Sequence, residues 1–502
     1  IMREITEKQV KTRLAFDNPW WGEQAGIDPE IREWPKRAYF ETFAKLVTET
    51  DVRRAVVLMG PRRVGKTVMI QQTVQKLIDQ GTEPKSVLYV SLDTPIYMGL
   101  PLERLFRLFA EHFGHRRESR LYVFFDEVQY LKDWEVHLKS LVDSFPAVRF
   151  VASGSAAAAL RLRGRESGAG RFTDFLLPPL TFAEFLSFSE REQDLFPDGG
   201  VLEIKEWSPV LIGALNDAFV DYLNYGGFPE SVFSQSIRED FHRFVGSDII
   251  DKVLLRDLPS LYGISDTQEL NRLFATLAYN TGNEVSLDQL SKSSGVAKNT
   301  LKRYLEYLEA AFLIRRVYRV DQNAKRFKRA VRFKVYLTNP CLRAALFGPV
   351  ASEDPAMGTL AETAYISQLA QTGMISAYHY ARWKSGEVDI VGLDPLSLKP
   401  KSATEIKWSD RAWENPSGEL RALATFCKTT GLIDALVLTR SSAGTKSVSG
   451  IRMIFGPLSA ACLVVEHGHV RVPLALGVNP LILEKILAYA ESIRDSKNSG
   501  TV

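Results

Sequence analysis

The spacing of apolar residues changes several times along this chain, and each change marks an expected element. Ala55 to Met59 form a short apolar run of strand type, the segment "GPRRVGKT" follows, and from Val68 apolar residues return at helical spacing through Ile70, Val74, Leu77 and Ile78. A strand, a glycine loop and a helix are predicted in that order. Leu121 to Phe125 form a second continuous apolar run, suited to a buried strand of a parallel sheet, and it ends on Asp126 and Glu127. A third run, "VRFVASGSA", ends on Ser153, Gly154 and Ser155. Further on, "GALNDAFVDYLNYGGFPESVF" reads as a helix ending at Gly226, with a bend at Pro229. Leu287 and Leu290 then face inward on a short helix, Gly295 marks a turn, and Leu301, Tyr304, Leu305 and Leu308 recur at core spacing on the next helix. That rhythm, with the strand-like stretch after it, is that of a winged helix-turn-helix. In the last third, "GTLAETAYISQLAQTG" reads as an amphipathic helix presenting Glu362. The runs "GEVDIVG" and "ATEIKWS" alternate charged and apolar residues and read as a hairpin joined by a loop rich in Pro, Leu and Lys.

A chain of 502 residues is too long for one hydrophobic core, so two to four domains are expected. No stretch approaches the roughly 18 apolar residues of a membrane span. The opening "IMREITEKQVKTR" is charged from its third residue, unlike a secretory signal. The cysteines Cys341, Cys427 and Cys462 form no CxxC pair, which suits a reducing compartment, so a cytoplasmic protein without a membrane partner is expected. A net charge of +3 implies no nucleic-acid partner by itself, and the local distribution matters more. Between Arg315 and Lys334 stand nine basic residues, with Asp321 as the one acid and Tyr318, Phe327 and Phe333 interleaved. Such a run repels itself unless a polyanion lies against it, which points to DNA. The expected contacts are Lys298, Asn299, Lys302 and Arg303 on the outer side of the second helix, with Lys325, Arg326, Lys328 and Arg329 in the hairpin. A solvated basic face, or a winged helix that mediates protein contacts, is the competing reading. The acids between 183 and 206, Glu184 among them, read as an exposed insertion.

Gly60 to Thr67 match G-x-x-x-x-G-K-[ST] without deviation. The glycines let backbone N–H groups curl around phosphates, and the helix that follows adds its positive end. Gly60, Pro61, Arg62, Arg63, Val64, Gly65, Lys66, Thr67 and Val68 are the expected ATP contacts. Lys66 would reach the β- and γ-phosphates, and the Thr67 hydroxyl would ligate Mg2+. Asp126, at the carboxyl end of its strand, would share that Mg2+, and Glu127 would orient or deprotonate the attacking water. Ser153 reads either as a γ-phosphate sensor or as ordinary turn chemistry. Arg171 reads either as a finger reaching a nucleotide across a subunit boundary or as a solvated loop arginine, with Arg163 and Arg165 as rivals.

The stretches "NPWW" (Asn18 to Trp21), "GPRRVGKT", "FFDEVQ", "ASGS", "GAGRFTDFLLPPLTFAEFL", "YGGFPE" (Tyr225 to Glu230), "GEVDIV" and "EIKWS" occur in the order found in a known family. On them the chain resembles a large prokaryotic family of AAA-type ATPases that carry a C-terminal nuclease-like domain of unknown function. The resemblance implies an α/β multidomain chain: an AAA-type P-loop parallel sheet, then a helical lid and winged helix-turn-helix, then a restriction-endonuclease-like α/β domain. The corresponding divisions are a lead segment at 1–50, the ATPase core at 51–182, the lid with its acidic insertion at 183–245, the winged helix at 246–348, the nuclease-like domain at 349–445 and an extension at 446–502. A homo-oligomer is expected.

In a strand, residues two apart share a face, so Glu387 points with Asp389 and Glu405 with Lys407. A half-exposed sheet produces the same alternation. Against it, the flanking Val388, Ile390, Val391, Ile406 and Trp408 are apolar, and several carboxylates around a single lysine repel unless a hard cation lies among them. The pattern of a helical Glu, then Asp, then Glu-x-Lys resembles the restriction-endonuclease-like core, although Val388 stands where that pattern has Pro. The resemblance implies that Asp389 and Glu405 ligate Mg2+ with help from the Ile406 carbonyl, that Lys407 positions or activates water, and that Glu362 supports metal or water. The leading expectation is therefore an ATPase acting on DNA with a metal-dependent nuclease-like module. The alternative is a nucleotide-dependent regulator or scaffold whose nuclease-like domain is inactive.

Overall fold

The computed structural model describes residues 5–23, 26–49, 51–155, 170–196, 208–264, 266–325, 332–371 and 378–467. The chain divides into two compact units. The first comprises Ile1–Pro179, Leu255–Ser265 and Ala310–Phe312; the second comprises Leu180–Leu254, Asp266–Glu309 and Leu313–Val502.

In the first unit the described residues form a five-stranded sheet. Its strands are β1 (Ala55–Met59), β2 (Val87–Ser91), β3 (Leu121–Asp126), β4 (Val148–Gly154) and β5 (Phe172–Leu176), in the order β2-β3-β4-β1-β5. All four pairings are parallel. Such strands are covered on both faces, which explains their unbroken apolar runs. Val57, Val90, Val123, Phe125 and Phe150 lie in one buried cluster with Leu105 and Phe109 of the helix Leu102–Phe113. Because β4 sits between β1 and β3, Ser153 lies level with Leu58 of the phosphate-loop strand.

The "NPWW" segment has a structural task here. Asn18 is fully buried; its amide donates to the Tyr89 carbonyl at 2.9 Å, and its Oδ1 accepts from the Tyr89 N–H at 2.7 Å. The Trp20 and Trp21 indoles both donate to the Val87 carbonyl. Strand β2 ends the sheet, and these side chains pair the backbone groups that an edge strand otherwise exposes.

In the second unit the described residues form a mixed nine-stranded sheet. Its strands are β6 (Glu284–Ser286), β7 (Ile314–Val320), β8 (Arg332–Leu337), β9 (Tyr378–Trp383), β10 (Gly386–Leu393), β11 (Pro400–Ile406), β12 (Asp434–Thr439), β13 (Gly444–Val448) and β14 (Ile451–Pro457). Their order is β13-β14-β12-β11-β10-β9-β7-β8-β6. The helices Thr267–Tyr279, Leu287–Ser294 and Lys298–Ala310 precede β7, with Gly295 in the left-handed region at φ 75° as the turn requires. Leu301, Tyr304, Leu305 and Leu308 are buried as their spacing predicts, whereas Leu287 and Leu290 are half-buried.

Two expectations are corrected by packing. The helix Ala356–Gln371 is not amphipathic: Leu360, Ala361, Ala364, Tyr365, Ile366 and Leu369 are buried around its whole circumference, as for a helix apolar on most sides. Glu184 is not a solvated acid of an insertion. It is buried as the third residue of the helix Phe182–Phe188 and closes a capping box with Thr181. Residues 197–207 of that insertion lie outside the described residues. Among the described residues, no helix is long and apolar enough to cross a membrane.

Candidate functional site

The phosphate loop leaves the carboxyl end of β1, where the parallel strands present their ends. Gly60 is required by close approach: a Cβ there would stand 2.1 Å from the Leu177 carbonyl oxygen. Gly65 has φ 93°, a conformation that strains side-chain-bearing residues. The helix Lys66–Asp79 starts immediately after it, so its N-terminal dipole faces the loop. Lys66 is buried and donates to the carbonyls of Gly60 at 3.2 Å and Pro61 at 2.8 Å. Burial pushes its ammonium below the ordinary lysine value, and Glu127 and Asp126 oppose that shift.

Asp126 gathers the site. Its Oδ2 accepts from Thr67 Oγ1 at 2.7 Å and from Tyr89 Oη at 2.9 Å; its Oδ1 accepts from Ser153 Oγ and from the Glu127 N–H at 3.1 Å. Thr67, Asp126 and Ser153, each singled out in sequence from a different segment, are thus brought together. Glu127 adopts φ 55°, a costly backbone for a residue with a side chain, and the Gln129 amide contacts its carboxylate. Burial raises the Glu127 carboxyl above the ordinary range, with Lys66 pulling the other way.

Besides Tyr89, three residues of this site were not singled out from sequence. Arg37, 6% exposed, donates to the carbonyl of Val64 in the phosphate loop at 2.6 Å and to that of Pro178 at 3.0 Å. Gln129 steadies Glu127. Asp257 accepts a two-pronged pair from Arg62, both arms at 2.9 Å, and this pair together with the Asp257 charge keeps the guanidinium raised although burial lowers it. Only Gln129 stands inside a recognisable motif; Arg37 and Asp257 carry no local signal. Arg37→Ala leaves two loop-side carbonyls without this donor, at a cost of roughly 1–3 kcal/mol each. Denaturant unfolding of the variant is expected to show that loss together with weaker nucleotide binding, and unchanged unfolding would remove Arg37 from the loop's support.

Arg171 lies at the amino end of β5, where its Nε donates to Asp143 at 2.5 Å and its carbonyl accepts from the Ala55 N–H. The phosphate loop leaves the opposite end of β1, so any finger role for Arg171 is restricted to the nucleotide of a neighbouring copy. Arg163 and Arg165 lie outside the described residues.

The second unit assembles a different cluster. Strands β10 and β11 pair antiparallel with Ile390 opposite Thr404, a register that carries Asp389 to the position across from Glu405. Asp389 Oδ2 accepts from the Ile406 N–H at 2.9 Å, and Lys407 Nζ lies 2.7 Å from Glu405 Oε1. Glu405 Oε2 is buried with no hydrogen-bond partner. Burial, and next the Asp389 charge, push the Glu405 carboxyl up to about 8. Glu362 joins from the buried helix, and its Oε1 accepts from Tyr336 Oη at 2.6 Å.

The central contact of this cluster is one the sequence reading did not find. Lys334 Nζ lies 3.1 Å from Glu362, 2.8 Å from Glu387 and 3.6 Å from Asp389, with its side chain 5% exposed. Burial lowers its ammonium, but Glu362, Asp389 and Glu387 outweigh that and hold it well above the ordinary value. Lys334 and Tyr336, two apart on β8, share the face that meets Glu362. A lone lysine between Phe333 and Val335 in a buried strand was the available signal. The expectation of several carboxylates around a single lysine is therefore corrected: two lysines face them.

Four basic residues of the hairpin strands are likewise compensated. Arg316 forms a two-pronged pair with Glu309, Arg319 and Arg332 face Glu284, and Lys334 faces the cluster. Lys325 is exposed, and Arg326, Lys328 and Arg329 lie outside the described residues. On the helix Lys298–Ala310, Lys298, Asn299, Lys302 and Arg303 are exposed as expected, with Lys298 paired to Asp288 and Lys302 at 4.0 Å from Glu306.

Residues 52–186 match the family model of an AAA domain. Residues 216–353 match that of a domain of unknown function, DUF8612. The chain is similar to an uncharacterized protein of Haemophilus influenzae, 25% identical over 286 residues, or 56% of this chain and 66% of that one. It is also similar to an uncharacterized protein of Methanocaldococcus jannaschii, 24% identical over 326 residues, or 62% of this chain and 67% of that one. The chain thus spans about two thirds of the length of these curated relatives. Among solved structures, the Aeropyrum pernix ORC1 protein in complex with DNA aligns at a TM-score of 0.28 and 13% identity, over 65% of this chain and 95% of that one. AMPPCP-bound DnaA from Aquifex aeolicus aligns at a TM-score of 0.28 and 13% identity, over 56% and 92%. The matched family model, the phosphate loop and the parallel sheet that carries it make residues 52–186 a P-loop ATPase domain of the AAA type.

Proposed function

We propose that this protein is an ATP-hydrolysing AAA-type switch or motor that acts on DNA as a homo-oligomer, through a winged-helix contact and a restriction-endonuclease-like module. The observation that carries the reading is the meeting of Lys66, Thr67, Asp126, Glu127 and Ser153 at the carboxyl ends of the central strands of a parallel sheet. Thr67 and Asp126, already hydrogen-bonded to each other, suit Mg2+, a cation that takes oxygen ligands and is held with nucleotide phosphates. Held there, Mg2+ would supply positive charge that offsets the charge of the nucleotide phosphates. Lys66 binds the same phosphates. Glu127 accepts the proton of the attacking water, held in place by its unusual backbone and by Gln129. Ser153, between the two acidic and phosphate-binding strands, orients the terminal phosphate. Arg171 serves a neighbouring copy.

The DNA part of the reading is supported by the order of helices and strands from Thr267 to Leu337 and by the exposed Lys298, Asn299, Lys302 and Arg303. Replacing Lys298, Lys302 and Arg303 together with alanine is expected to weaken duplex binding across sequences. It should also lower the slope of log affinity against log salt by roughly 1 for each phosphate interaction removed. A slope equal to that of the wild type would assign this face to solvent or to a protein partner.

The second unit supports two readings of its chemistry. A helical Glu362, Asp389 and Glu405 with Lys407 match a nuclease-like module in residue type. The alternative, a regulator with an inactive nuclease-like domain, is favoured by one observation: the Lys334 ammonium lies among the carboxylates.

A further inference from the structure

We infer that the Lys334 ammonium is the resident cation of the Glu362, Glu387, Asp389 and Glu405 cluster and shuts it against divalent metal, so that Asp389 and Glu405 become metal ligands only when Lys334 is withdrawn.

The residues as arranged do not fit a divalent ion. Three of the four carboxylates turn an oxygen toward Lys334 Nζ at 2.8 to 3.6 Å. Glu405 instead meets Lys407 at 2.7 Å, and Asp389 Oδ2 is taken by the Ile406 N–H. Among the described residues, no three Asp, Glu, His or Cys side chains converge in an arrangement that holds a metal ion. A hard cation needs those same carboxylate oxygens and would sit beside an ammonium in a site screened from water, where like charges repel strongly.

The lysine is also fixed in place. Its backbone pairs on both sides, opposite Glu284 of β6 and opposite Val317 of β7. Tyr336, on the same face of β8, holds Glu362 toward it. A lysine so buried persists only with its charges matched, and here the match is made by the carboxylates that the nuclease-like pattern would give to metal. Glu405 Oε2 is buried without a partner.

The inference deepens the nuclease-like reading of this cluster and rests on that reading only through Asp389 and Glu405. The test uses the full chain without nucleotide or nucleic acid, so a failed ATPase or DNA prediction leaves it standing, and the reverse. Mn2+ binding is measured by electron paramagnetic resonance, with melting followed in parallel. Wild type is expected to show no Mn2+ site that is lost in Asp389→Asn. Lys334→Met should gain such a site, binding at least about tenfold more tightly than wild type, and its melting temperature should rise on adding Mn2+. Lys334→Arg keeps the charge and should gain nothing. Should Lys334→Met fail to fold, Lys334→Met with Glu362→Gln removes one buried carboxylate along with the ammonium and is expected to gain the same Asp389-dependent site. A wild type that already binds Mn2+ through Asp389, or a folded Lys334→Met chain that binds none, overturns the inference.

Discussion

Lys66→Ala is expected to abolish nucleotide binding at ordinary ligand concentrations while leaving the fold intact. The Lys66 ammonium is buried at the phosphate loop, where its interaction with an anion is little screened by water. Truncating one member of a buried, hydrogen-bonded charge pair typically costs 2–5 kcal/mol, which corresponds to about 30-fold to about 4,000-fold in affinity. Stability should move differently. Burial already penalises the charged form of Lys66, so a neutral methyl relieves that penalty, against the loss of hydrogen bonds to Gly60 and Pro61 and of attraction to Glu127 and Asp126. Titration with a fluorescent ATP analogue, together with a thermal melt, separates the two effects. Affinity within threefold of wild type would remove Lys66 from the phosphate site.

Glu127→Gln is expected to lower kcat by roughly 10²- to 10⁴-fold, the usual contribution of a positioned general base, with nucleotide still bound. Glutamine preserves the size of the side chain and its reach toward Gln129 but cannot accept the proton from water. The pH profile gives a second readout. Burial raises the Glu127 carboxyl, so the base form is lost as pH falls through that raised value, at a higher pH than for an exposed glutamate. Wild-type kcat should therefore decline on the acid side in that window, and the residual activity of the variant should not. Normal turnover by Glu127→Gln would assign the base elsewhere, with the Asp126 carboxylate the adjacent acid.

The two variants also separate the functions of the units. The proposed DNA contact and the carboxylate cluster use residues of the second unit alone, so neither should respond to Lys66→Ala in the absence of nucleotide.

Several features are legible in the amino-acid order itself because their physics is local. The phosphate loop needs glycine at Gly65 for backbone conformation, and Lys66 and Thr67 directly at a helix start, all within eight residues. The helix pair around Gly295 and the hairpin placing Asp389 across from Glu405 depend on periods of 3.6 and 2 that can be counted along the chain. Charge balance and support are not legible there, because they depend on partners far along the chain. Arg37 braces the phosphate loop through residues 27 and 141 positions away, and Arg62 finds Asp257 at a separation of 195. Arg316, Arg319, Arg332 and Lys334 look uncompensated in sequence only because Glu284, Glu309, Glu362 and Glu387 come from other elements. Sequence alone thus determined which chemical groups this protein owns and the local backbone that displays them. Which cation meets Glu362, Glu387 and Asp389, Lys334 or a metal, was decided by the pairing of distant strands, because a buried charge is stabilised by whatever neighbour the tertiary fold brings within a few ångströms.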